Sequence, residues 1–206
     1  MARLFLWTPK RPAVSTPEWV LVSLKVIEVF EALNVPYFVG GSAASIIHGI
    51  VRTTIDSDIV AELKEEHIEP LVAALADEFY VEREAILEAI VLRRSFNLIH
   101  QDTMFKVDVF IPKRRAFDQA QLARRVKSVV AREPQRTAWI ATAEDTVLAK
   151  LDWFRTGGEV SERQWRDVLG VLKTQAGRLD TGYMHEMASA LGVNDLLEAA
   201  LEEAAK

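Results

Sequence analysis

Val39-Gly40-Gly41-Ser42-Ala43-Ala44-Ser45-Ile46-Ile47-His48-Gly49-Ile50-Val51-Arg52-Thr53-Thr54-Ile55-Asp56-Ser57-Asp58-Ile59-Val60 joins two apolar segments through a glycine pair, and the second segment carries two acids. Tyr37-Phe38-Val39 reads as a strand, Ala43 to His48 as the start of a helix and Ile55 to Leu63 as a strand. The order is therefore strand, glycine turn, helix, strand. Residues two apart on a strand project from the same face, so Asp56 and Asp58 point together. Glycines let a backbone approach a phosphate closely, amides at a helix start donate to anionic oxygens, and Ser42 adds a hydroxyl. Taken alone, Gly40-Gly41-Ser42 also reads as an ordinary serine-capped turn, and the acid pair as a solvated strand face.

A third acid changes the balance. Phe105, Val107, Val109 and Ile111 alternate toward one side of a strand, which places Lys106 and Asp108 on the other. An acid amid so many apolar neighbours either faces solvent or needs a buried partner. Ser95 to His100 forms the preceding strand, joined to this one by a hairpin around Gln101-Asp102-Thr103. Magnesium prefers octahedral oxygen coordination, with one or two carboxylates completed by phosphate oxygens and water. Two such ions would stabilise both the attacking and the leaving oxygen of an in-line displacement.

Working outward, Val20, Leu21, Leu24, Ile27, Phe30 and Leu33 recur at helical spacing from Glu18, and Asn34 with Pro36 ends that helix. Residues 1 to about 16 hold Pro9 and Pro12 without apolar period and read as an extended leader, whose Phe5 and Trp7 are expected to dock on the surface. His67 to Phe79 has a helical period, Ala116 to Arg125 forms a further helix, and Val126 to Val130 and Thr137 to Ile140 add edge strands. After Ala141 the strand signals stop. Thr142-Ala143-Glu144-Asp145 opens a helix that Gly157-Gly158 closes, Ser161-x-x-Gln164 caps the next, and helices follow at about Thr181 to Leu191 and Asn194 to Ala204. The expected class is α+β: a small mixed sheet with flanking helices, then a helical bundle. The expected division is a leader at 1–17, an α/β domain at 18–141 and a bundle at 142–206.

Composition narrows the chemistry. The 206 residues are half apolar and include 30 acidic against 25 basic side chains, which suits a folded chain without global attraction to polyanions. No cysteine is present, so disulfides, thiolate metal sites and a cysteine nucleophile are excluded. The early Lys10, Arg11 and Pro12 interrupt any secretory pattern, no run approaches the ~20 apolar residues of a membrane helix, and a cytoplasmic location is expected. His48, His67, His100 and His185 lack metal-ligand spacing, and neither a Gly-x-Ser-x-Gly elbow nor a P-loop lysine occurs.

Residues 39–60 resemble the signature of the polymerase-beta-like nucleotidyltransferase superfamily: Gly-Gly-Ser, a short helix, then Gly49-x-x-Arg52-x-Thr54-x-Asp56-x-Asp58. The resemblance implies that Gly40, Gly41 and Ser42 hold nucleotide phosphates and that Asp56 and Asp58 ligate magnesium or manganese. It also implies that Asp108, in Phe-Lys-Val-Asp-Val-Phe-Ile, is the third carboxylate, either a ligand or the base. Arg52, inside the signature, would steady a phosphate or pair with an aspartate. A nucleoside triphosphate would be the co-substrate.

The bundle carries a second resemblance. Lys150-x-x-x-x-Arg155 and then Arg166-Asp167 look like the downstream motifs of the abortive-infection (AbiEii-type) toxin nucleotidyltransferases, in which a helical lysine faces the nucleotide. That family places another aspartate three residues after the first, where this chain has Gly170. The resemblance implies Lys150 as a nucleotide contact and an antitoxin protein as a partner. Lys150 lies on a helix whose buried face is set by Val147, Leu148, Leu151 and Phe154, and a solvent-facing lysine is the competing reading. Trp153 and Trp165 are expected in the bundle core rather than as a base-stacking platform.

Acceptor and partner readings stay divided. Lys113, Arg114, Arg115, Arg124, Arg125, Lys127, Arg132 and Arg136 would form a local positive surface suited to an RNA acceptor through residues 113–136, or merely charged exposed faces. Three functions are carried forward: transfer of a nucleoside monophosphate to RNA or protein, transfer to a small molecule of the antibiotic kind, and a noncatalytic nucleotide- or partner-binding module.

Overall fold

Alternating burial along β2 (Asp56–Ala61) and β5 (Lys106–Phe110) sends Ser57, Ile59, Ala61, Val107 and Val109 into the core and turns Asp56, Asp58 and Asp108 to the opposite face. These two strands pair in parallel at the middle of a seven-stranded mixed sheet in the computed structural model, which describes residues 16–206. The expected docking of Phe5 and Trp7, and most of the leader, lie outside the described residues.

The sheet order is β3 (Phe79–Tyr80), β4 (Ser95–His100), β5, β2, β1 (Tyr37–Val39), β7 (Gln135–Ile140) and β6 (Val126–Arg132). β1 pairs antiparallel with β2 and parallel with β7, while β4–β5, β3–β4 and β6–β7 are antiparallel. Of the two expected edge strands only β6 lies at an edge. β7 is interior because Val39 pairs with Ile140. Helix α1 (Glu18–Ala32) packs Val22, Val26, Ile27 and Phe30 into the sheet core.

Two local expectations need correction. The helix expected over His67 to Phe79 is a short 3-10 turn, Glu65–His67, followed by α3 (Ile68–Leu75), because Phe79 joins a strand opposite His100. An unanticipated helix, α4 (Arg83–Leu92), buries Ile86 and Ala89 against the same core and ends at Arg93, whose φ of 52° turns the chain into β4. The helices α2 (Gly41–Ile47) and α5 (Ala116–Arg124) fall where expected.

The carboxy-terminal bundle comprises α6 (Ala143–Thr156), α7 (Glu162–Thr174), α8 (Thr181–Leu191) and α9 (Asn194–Ala204). Thr142 caps α6 by accepting the Asp145 N–H at 3.1 Å, and Ser161 caps α7 through the Gln164 N–H. Val147, Leu148, Leu151, Val168, Val171 and Leu197 anchor its core, which also takes in Phe117 from α5 and the side chain of Ile50. Trp165 packs on that core beside Phe154. Trp153, expected inside, is 56% exposed and meets the edge of Phe110 instead, because it lies off the stripe formed by Val147, Leu148 and Leu151.

Side chains stitch the bundle to the sheet. His48 Nε2 lies 2.8 Å from the Ala141 carbonyl, and Gln175 Nε2 donates to the His48 carbonyl at 2.9 Å. On the far side the Arg124 guanidinium lies over the Tyr183 ring, and the Tyr183 hydroxyl donates to Oδ1 of the fully buried Asp145 at 2.6 Å. Burial pushes Asp145 above the ordinary carboxylate value, while the bonds from Tyr183 and Thr142 pull it down. The native state therefore holds that proton more tightly than the unfolded chain, and the contribution is full at low pH and lost as pH rises through the raised value. Tyr183→Phe keeps the ring and removes the donor. It is expected to cost about 1–3 kcal/mol in urea denaturation, and the loss should be larger above the raised Asp145 value, where the carboxylate is ionised, than below it.

Candidate active site

The acid face is assembled by strand register. Asp58 stands opposite Asp108 and Asp56 opposite Lys106 in the parallel β2–β5 pair, and Asn97 of β4 stands opposite Asp108 on its other flank. Neighbouring strands are about 4.8 Å apart, so like charges at paired positions repel strongly. Burial and then the charges of Asp56 and Asp108 push the Asp58 carboxyl up, against the Ser42 N–H and the positive charge of Lys150.

Gly41 and Asp58 fit as one unit. Gly41 has a φ of +52°, and a Cβ there would lie 1.8 Å from Asp58 Oδ2. The Gly40 N–H donates to the Asp58 carbonyl at 2.9 Å, extending the β1–β2 pairing. The glycine turn therefore makes room for the central acid and fixes its backbone. The Ser42 amide faces the Asp58 carboxylate.

The flanking acids are held by Thr54 and Lys106, which the sequence reading names without a role, and by Asn97, which it does not name. The Thr54 hydroxyl lies 3.0 Å from Asp56 Oδ1 and 2.9 Å from the Asp56 carbonyl. Asn97 Nδ2 donates to Asp108 Oδ1 at 2.6 Å, and Lys106 Nζ reaches Asp108 Oδ2 at 2.8 Å. The hydrogen bond to Asp108 and the charges of all three acids hold the Lys106 ammonium above its ordinary value, against a partial burial penalty. Asn97 was legible as a polar position between buried Phe96 and Leu98, but nothing in the sequence paired β4 with Asp108 in this register.

The two cations implied by the resemblance meet a carboxylate from α7. Lys150 Nζ lies 2.9 Å and Arg52 Nη2 3.2 Å from the same oxygen, Oδ2 of Asp167. Lys150 is buried rather than solvent-facing, and its charge is felt at Asp58. Gly170 has its own packing reason: a Cβ there would come 2.2 Å from Ile50 Cδ1. The position at which the toxin pattern has an acid is filled here by an apolar contact.

An oxygen-only set of three acids suits a hard divalent cation, and burial, then the charges of Asp56 and Asp108, raises the hold of Asp58 on a proton. Among the described residues no three acidic or histidine side chains stand in ready metal-holding positions. The two observations agree physically: the acids are close enough to repel, and Asp56 and Asp108 are turned onto Thr54, Asn97 and Lys106. A cavity of about 410 Å³ lined by Phe154, Glu159, Val160, Glu162, Trp165, Arg166 and Leu196 lies on the bundle and shares no residue with the acid face.

No protein-family model matches the sequence, and no curated protein matches it. Solved structures do. The solution structure of the antibiotic-resistance factor ANT(2″)-Ia has a TM-score of 0.56 at 13% identity, over 89% of this chain and 95% of that one. The same enzyme's crystal structure in complex with adenylyl-2″-tobramycin gives 0.55 at 11% identity, over 84% and 95%. An antigenic nucleotidyltransferase-like protein from Paracoccidioides brasiliensis gives 0.51 at 14% identity, over 91% and 94%. This chain has the nucleotidyltransferase fold. At these identities the likeness extends to the fold and its α+β layout, and the site rests on its own residues.

The Gly41–Asp58 contact is directly testable. Gly41→Ala is expected to destabilise the protein by about 1–3 kcal/mol in urea denaturation, from the positive φ and the collision with the carboxylate. In an Asp58→Ala background the penalty should shrink, and an unchanged penalty would show that the carboxylate does not occupy that space.

Proposed function

We propose that the chain is a metal-dependent nucleotidyltransferase that moves a nucleoside monophosphate from a nucleoside triphosphate to an acceptor. The observation that carries this reading is the Asp58–Asp108 register with Asp56 on the same face, beside a glycine turn shaped around Asp58. Asp56, Asp58 and Asp108 would hold magnesium or manganese, which supplies charge neutralisation at the reacting phosphate when bound. Gly40, Gly41 and Ser42 border the phosphates, Lys150 supplies a cation from the bundle and Arg52 one from the loop before β2. The acceptor's oxygen or nitrogen bonds to the α-phosphorus as the bond to the bridging oxygen breaks. Pyrophosphate leaves with that electron pair, and the acceptor's proton passes to Asp108 or to solvent. We read residues 18–141 as the catalytic unit and 142–206 as the bundle that closes over nucleotide.

Two acceptor classes compete. The toxin resemblance favours RNA or protein, with an antitoxin as the controlling partner. A small-molecule acceptor gains support from ANT(2″)-Ia, whose fold this chain shares over nearly its whole length. Further support comes from the use of Arg115, Arg124 and Arg136 in ion pairs with Asp118 and Asp152, Glu144 and Asp145, and Glu28.

Incubation with each α-labelled triphosphate, magnesium, and either total RNA or a panel of cationic antibiotics decides between them by where the label appears. Transfer should disappear with chelator and return with magnesium or manganese. Asp56→Ala, Asp58→Ala and Asp108→Ala should each reduce it by roughly a hundredfold or more; full activity in all three would overturn the metal assignment.

A further inference from the structure

We infer that Asp167 is a built-in stand-in for a polyphosphate: it holds Lys150 and Arg52 in the cleft of the resting protein and exchanges them onto an incoming triphosphate. The ligand's identity rests on the nucleotidyltransferase reading. The exchange rests on geometry.

Both cations converge on one oxygen of one carboxylate, Asp167 Oδ2, at 2.9 and 3.2 Å. Asp167 is 4% exposed and Lys150 8%, so two positive charges share one negative charge away from water. Among the described residues, Nε of Arg52 is buried without a hydrogen-bond partner and Nη2 meets Asp167 Oδ2 as an ion pair without hydrogen-bond alignment, although a guanidinium fork fits two parallel acceptors. A settled structural pair would fill that fork from both oxygens of Asp167. Two cations on one carboxylate oxygen, with a guanidinium donor left over, instead match a ligand with several anionic oxygens.

Position argues the same way. Arg52 belongs to the loop that runs straight into Asp56, Lys150 belongs to α6 and Asp167 to α7, so a single carboxylate links the acid-bearing loop to the bundle. The Lys150 charge also acts on Asp58, so its ammonium neighbours the acid face. One helical turn beyond Asp167, Gly170 accepts Ile50 rather than presenting a second acid. The loop is thereby packed on α7, and Asp167 stays the one carboxylate that Lys150 and Arg52 share there. On product departure Asp167 recovers both cations and lowers the site's hold on the leaving pyrophosphate. In that role Asp167 is a positioning residue.

Inorganic tripolyphosphate, measured by titration calorimetry, tests this without any transfer reaction. Arg52→Gln and Lys150→Gln should each weaken its binding by roughly tenfold. Asp167→Asn should tighten it by roughly three- to tenfold, since the competing anion is gone. In steady-state assays with a magnesium triphosphate, Asp167→Asn should lower KM and kcat together, and Asp167→Glu should restore both toward wild type. Should Asp167→Asn alone fail to fold, the Arg52→Gln/Asp167→Asn pair keeps the cluster's net charge and should bind tripolyphosphate more tightly than Arg52→Gln alone. Weaker binding on loss of Asp167, or no binding to the wild type, overturns the exchange. Tripolyphosphate binding with the expected variant order but no transfer from any triphosphate would retain the exchange and reject the transferase reading.

Discussion

Parallel pairing of β2 with β5 sets the constraint on which everything else rests. It places Asp58 beside Asp108 across one strand spacing, with Asp56 on the same face, while the reverse face of both strands carries the apolar core. The register cannot slip by one residue, because that would bury the acids and expose Ile59, Val107 and Val109. Hydrophobic burial thus holds together charges that repel one another. The neighbours follow from that repulsion: Lys106 and Asn97 brace Asp108, Thr54 meets Asp56, and the Ser42 amide and the Lys150 charge act on Asp58.

Gly41 shows how closely backbone and charge are matched. Its role is commonly argued from the ligand side, as space for a phosphate. Here the space is already filled by the Asp58 carboxylate, and the positive φ tilts the start of α2 so that the Ser42 amide faces that acid. Turn and acid specify each other.

Local alternation and caps were readable from the chain, and long-range pairing was not. The period-two pattern located Asp56, Asp58 and Asp108 on strand faces, and Thr142 and Ser161 marked helix starts that the structure keeps. The β2–β5 register, which turns three separate acids into one site, has no local signature. The β4–β5 hairpin is legible, but the register that sets Asn97 opposite Asp108 is not. Arg83 to Leu92 was passed over because only Ile86 and Ala89 of that helix are fully buried, too faint a stripe to read. Trp153 was misplaced because size suggested a core residue where helical phase points outward.

The basic stretch after β5 shows why charge counted along a sequence overstates charge available to a partner. Arg115 is committed to Asp118 and Asp152, Arg124 to Tyr183 and the start of α6, and Arg125 and Lys127 lie over the Trp139 ring. The ion pairs of Arg115 and Arg124 tie α5 to the bundle and offset those two charges, while Arg125 and Lys127 keep theirs over the Trp139 ring. Lys113 and Arg114 remain exposed, three and four residues past Phe110, at the end of the strand that carries Asp108. Lys127 and Arg132 are exposed as well, but on β6 at the far edge of the sheet, away from the acid strands. A compact acceptor needs no such surface, only room beside Asp108, where the exposed edge of Trp153 against Phe110 offers an aromatic wall two strand positions from the acid. On the proposed nucleotidyl-transfer reading, acceptor choice would then turn on the surface beside Asp108 as much as on the basic count of residues 113–136.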